Sequence, residues 1–192
     1  MILSSIKSLD PADLEGAIYD FILKYAYPAF EADSSGNYPI YEAHQNRMSL
    51  PSDSEDIAVY QVLNQLRVGT NIERIKADDD AESYIYLVEK QVSSDVQISF
   101  YSTDETARLR AEGIELICYG GHADAFFKEY GISCSYAEQA QEMTVFGSTN
   151  QYVERWNVTI RLTYYAPYEV AYDYAEAVSV SFGEVTRLED TN

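Results

Sequence analysis

From Trp156 to Tyr164 every second side chain is large and apolar: Trp156, Val158, Ile160, Leu162 and Tyr164. Arg155, Asn157, Thr159, Arg161 and Thr163 alternate with them. Side chains repeat every two residues only in an extended strand, so this segment puts one face against a core and turns the other to water or a partner. The alternation recurs along 84–101, where Tyr84, Tyr86, Val88, Val92, Val96, Ile98 and Phe100 share a parity that only Lys90 and Ser94 interrupt. Residues 56–66 carry a third apolar run. Paired with 84–101 it predicts a long hairpin whose outer part extends beyond the core. The polar stretch 67–82 reads as the hairpin tip, where the like charges of Asp78, Asp79, Asp80 and Glu82 favour a solvated loop. A second hairpin is expected to turn near 147–150 and end in the Trp156 strand, with short strands at 132–136 and 40–43. Val178, Val180 and Phe182 suggest a closing strand. The Ser-, Asp- and Pro-rich segment 31–55 reads as a flexible loop.

Elsewhere the apolar spacing lengthens to three and four. Leu14, Ala17, Ile18, Phe21, Ile22 and Tyr25 form one stripe of a helix that Asp10 and Pro11 would start and Pro28 would end. Ala107, Ala111, Ile114 and Cys118 make the stripe of a second helix. Ser102 and Glu105 have capping-box spacing for its start, and Gly120-Gly121 suits its stop. Gly113 weakens that helix by roughly 1 kcal/mol relative to alanine. Ala123, Phe126, Phe127 and Tyr130 mark a short third helix stopped by Gly131. The resulting order predicts one α+β domain over 1–192: a mostly antiparallel sheet, helices packed on one face, and an extended β-hairpin arm.

Chemistry has little to stand on. The histidines are His44 and His122. His122 follows Cys118 by four residues, but the two glycines break the register, and a structural zinc site takes four ligands. No GxSxG, HExxH, CxxC, P-loop or dinucleotide fingerprint occurs. The acids at 78–82 lack the glycine and ligand spacing of a calcium loop. The sequence thus designates no catalytic residue, no metal ligand and no cofactor. A hydrolase using paired carboxylates near 168–176 stays open as an alternative, as does a monomeric binding module. The net charge of −19 repels nucleic acid, which argues against a DNA or RNA binder. No apolar run is long enough to span a bilayer. The first residues, MILSSIKSLDPADLEG, lack the apolar core of a secretory signal, so Cys118 and Cys134 are expected to be reduced thiols. Eighteen tyrosines suit surfaces that are wet in one state and buried in another.

Several stretches carry a resemblance: the opening helix, YEAHQNRMSLPSDSEDIAVYQVL, VQISFYSTDETARLRAEGIELI with its helix directly after an aromatic strand end, and ERWNVTIRLTYYAPYEV. In order and spacing, roughly residues 8 to 185 resemble the neck or tail terminator proteins of tailed bacteriophages. The resemblance implies a virion protein, assembled in the host cytoplasm, that forms a ring, often a hexamer. Such a ring caps the tail tube, meets the tube protein and the head-side connector or stopper proteins, and lets DNA pass through its lumen without specific binding. Another head–tail connector or a tail-tube subunit is the alternative of the same kind. In that setting Arg155, Arg161, Thr163 and Tyr165, on the polar face of the last long strand, are the expected subunit contacts. Asp78, Asp79, Asp80 and Glu82 are the expected acids of the lumen or hairpin tip.

Overall fold

The alternating segments become the two longest strands in a computed structural model that describes residues 11–43, 56–77, 84–102, 104–143, 145–146 and 152–171. They are β4 (Tyr84–Ser102) and β8 (Tyr152–Ala171). These pair antiparallel without a break from Ile85↔Ala171 to Ser102↔Glu154. The other elements are α1 (Pro11–Tyr25), β1 (Ile40–Glu42), β2 (Ile57–Arg67), β3 (Ile72–Ala77), α2 (Thr106–Tyr119), α3 (His122–Lys128), β5 (Ser133–Ala137), β6 (Gln141–Glu142) and β7 (Val145–Phe146). The sheet runs β1-β2-β4-β8-β5; β3 lies beside β4, and β6 and β7 lie beside β8. Among the described strands only β1 and β2 pair in parallel. The fold is therefore α+β with a mostly antiparallel sheet, as the alternation requires.

Parity decides which face is covered. Val92, Val96, Ile98 and Phe100 of β4 lie opposite Tyr164, Ile160, Val158 and Trp156 of β8. Ala58 and Tyr60 of β2 continue the same rows. All but the half-buried Trp156 are buried, and Leu14, Ala17, Ile18, Phe21 and Ile22 of α1 join them in one core with Ala107, Ala111 and Ile114 of α2. Phe21 and Phe127 close the contact between α1 and α3 at 4.7 Å between ring centroids. Ser94, one of the interruptions in the apolar parity, is fully buried and donates to the Tyr164 hydroxyl at 3.3 Å. The other, Lys90, is exposed.

Arg110 joins the layers. It lies on the inner side of α2 with its side chain 4% exposed. Its Nε donates to the Pro28 carbonyl at 2.8 Å, and Nη2 meets Asp56 at 3.1 Å. Its guanidinium carbon lies 4.1 Å from the Phe30 ring centre. The loop after α1, the start of β2 and helix α2 are thereby held by one side chain.

Three expectations change. The stretch 67–82 is not all tip, because β3 occupies 72–77 and pairs with Tyr84–Glu89. Local composition hides that strand; partnership with β4 makes it. The capping box of Ser102 and Glu105 does not form: Ser102 belongs to β4, and Glu105 makes no side-chain cap. Instead Asp104 Oδ1 accepts the Thr106 N–H at 2.9 Å and the Ser102 hydroxyl at 2.6 Å. These bonds lower the Asp104 carboxyl from 3.8 to about 2. Finally, β8 runs on to Ala171, so the arm has three strands rather than two. Gly121 does supply the break between α2 and α3, at φ +73°. The acids Asp78, Asp79, Asp80 and Glu82, together with His44 and the closing strand at 178–182, lie outside the described residues.

Candidate functional site

The face of the sheet away from the helices is polar and no described helix packs over it, although Ser99 and Asn157 on it are buried against Arg155 and Met143. Across β4 and β8 its rows are Tyr101 and Arg155, Ser99 and Asn157, Gln97 and Thr159, Asp95 and Arg161, Ser93 and Thr163, Gln91 and Tyr165. Directly opposed residues on a sheet interact, and here they do so as polar and charged pairs. Arg161 grips Asp95 with two bonds, Nε to Oδ1 at 2.6 Å and Nη2 to Oδ2 at 3.0 Å. The guanidinium holds the Asp95 carboxyl below its usual range. Tyr136 of β5 lies in register with Arg161, and its ring centre is 5.0 Å from the guanidinium carbon. Arg155 donates to Asn157 at 3.0 Å and to Ser99 at 3.2 Å, beside the Tyr101 ring. Both arginines thus find partners within their own chain. Thr163 and Tyr165 line an open groove of about 560 Å³ with Gln91, Lys128, Ser133 and Ser135.

The four contact residues expected from sequence therefore share one face. Sequence reasoning missed a second feature beside them. The pairing of β2 with β4 slips between Val62 and Asn64, leaving Leu63 without an opposite residue. A bulge inserts one residue and reverses the facing of everything beyond it. Unshifted alternation would aim Leu66 with Ala58, Tyr60 and Val62 at the helices. The bulge sets it opposite Ser93 on the open face, 61% exposed. Leu63, Val68 and Ile72 are also exposed, so an apolar ridge follows the β2–β3 edge. β1 pairs only Ala58 to Tyr60. Beyond it, among the described residues, no strand flanks the outer edge of β2 and β3. Likewise β5 reaches only Thr163, and among the described residues β8 from Tyr164 onward has no partner on that side.

For catalysis the same residues offer little. Among the described residues no three His, Cys, Asp or Glu side chains gather as a metal site would need. His122 is exposed at the start of α3. Cys118 and Cys134 are half-buried free thiols. The hydrogen bond between them pushes the Cys118 thiol up, with burial adding to it, and the Cys134 thiol down, as one shared proton requires. No helix among the described residues is long and apolar enough to cross a membrane.

The described residues thus present a polar face beside an exposed apolar ridge. Comparison with curated proteins finds no match. The family model for the phage neck terminator protein matches residues 12–187, from the first helix through the whole sheet. The chain belongs to the phage neck terminator protein family, whose members are structural proteins of the phage virion.

Proposed function

We propose that the chain assembles with copies of itself into a ring, a hexamer by resemblance, that caps the tail tube and joins it to the head-side connector. The observation that carries this reading is the three-stranded arm. β8 alone spans roughly 65 Å at about 3.3 Å per residue, and both edges of its outer part lack a flanking strand among the described residues. Long unpaired edges invite pairing with another chain and are usually covered. A ring of identical subunits covers them without leaving free ends. In this reading the open face with Arg155, Arg161, Thr163 and Tyr165 lies at the subunit boundary. Its arginines are already neutralised by Asp95 or engaged by Ser99 and Asn157, so the face does not add to the repulsion between copies. Asp78, Asp79, Asp80 and Glu82 lie toward the lumen, where like charge keeps passing DNA from adhering. The protein transforms no substrate and is assembled in the host cytoplasm.

Imaging intact particles with and without the chain tests the proposal. With it, ring density closes the head-proximal end of the tail; without it, heads and tails stay separate. Polymerisation of the purified chain into tubes would make it a tube subunit instead.

A further inference from the structure

Helix α2 carries a second apolar surface that the fold does not use. Ala107, Ala111 and Ile114 face the core, while Leu109, Leu116 and Tyr119 recur on the opposite side of the helix and are 46%, 71% and 64% exposed. Gly113 lies on that outer side, between Leu109 and Leu116. Its φ is not in the left-handed region, and a Cβ there would meet nothing within 4 Å. Nothing in the packing of the described residues therefore requires a glycine, although glycine inside a helix is less favourable than alanine. What glycine does provide is a notch in the stripe, into which a partner's side chain fits closely.

Ten large apolar side chains are exposed among the described residues; four form the ridge Leu63, Leu66, Val68 and Ile72, and three form the α2 stripe. The two sequence segments also differ in charge. In sequence, residues 64–76 carry Arg67, Arg74 and Lys76 against Glu73, whereas Asp104 and Glu105 directly precede α2 and within it Glu112 pairs with Arg108 at 2.9 Å, which leaves that end of the helix acidic. In a chain of −19, two copies repel unless opposite local charges meet.

We propose that the β2–β3 ridge of one copy seats on the outer face of α2 of the next, with Leu66 entering the notch at Gly113. This rests on the ring reading above and adds a second contact beside the polar face that reading places at the subunit boundary. The surfaces are unlike and lie on different elements, so the contact is head-to-tail, the kind that generates rings. It also gives the bulge at Leu63 a purpose: without the slip, Leu66 would turn to the helices of its own subunit.

Two variants of the full chain test the proposal, Leu66→Asp and Leu116→Asp. Each spoils one surface and keeps the other. Mass measurement in solution should show the parent as a closed oligomer and each variant alone as a monomer. An equimolar mixture should give a dimer of one copy of each and nothing larger, because one good ridge meets one good stripe. Full assembly by either variant, or a mixture that stays monomeric while the parent assembles, overturns the contact. Where the parent assembles only in particles, Leu66→Cys with Leu116→Cys is built in a Cys118→Ser, Cys134→Ser background. A short bismaleimide should then yield a ladder of linked chains, and neither single cysteine should do so. A ring present in the particle without the ladder refutes the contact and leaves the ring reading standing. Absence of any ring removes both.

Discussion

Arg110→Met tests whether one buried guanidinium locks the helix layer to the sheet. Methionine keeps much of the volume and removes the charge. The Pro28 carbonyl loses a charged donor at 2.8 Å, a bond in the class worth about 1.5–3 kcal/mol. The Asp56 pair is weaker than its 3.1 Å implies, because the Asp56 side chain is 39% exposed and Thr106 also reaches it. Solvent screening limits it to about 1 kcal/mol or less. The face of Phe30 loses a cation, about 1 kcal/mol. Against these, Arg110 Nη1 is buried without a hydrogen-bond partner among the described residues, and deleting that donor returns about 1–2 kcal/mol. The net expectation is a loss of about 2 kcal/mol. In urea, with a slope near 2 kcal/mol/M, the midpoint should fall by about 1 M. Arg110→Lys, which keeps the charge but reaches one partner at a time, should fall about half as far. A methionine variant as stable as the parent would mean that burying the guanidinium costs as much as its contacts return, and the locking argument would fail.

Asp104→Asn should flatten the acid side of the stability profile. The folded carboxyl lies at about 2, below its ordinary 3.8, so its contribution is present above about pH 4 and disappears as pH falls toward 2; acid titration followed by circular dichroism reads the difference, and identical acid limbs would refute it. Tyr164→Phe leaves the buried Ser94 hydroxyl without its partner and should cost about 1–2 kcal/mol. Adding Ser94→Ala should recover much of that loss, and a double variant no better than the additive sum contradicts the pairing.

Much of this molecule is written in local periods. The parity of Trp156 to Tyr164 named the buried row of β8, and the three-four spacing of Leu14 to Tyr25 named the buried side of α1, because both patterns depend only on neighbouring residues. The polar row with Arg155, Arg161, Thr163 and Tyr165 was legible for the same reason. What periodicity could not say is which partner each polar group takes. Asp95 stands 66 residues from Arg161, and only the β4–β8 register brings them together. Nor could it find β3, which owes its extended form to pairing with Tyr84–Glu89, or the bulge at Leu63, which moves Leu66 to the open face. Sequence by itself determined the elements, their buried sides and the lack of a recognisable reactive motif. Tertiary structure alone decided which strand edges lack neighbours among the described residues, where the arginines spend their charge, and which leucines stay exposed, since each depends on contacts between residues far apart along the chain.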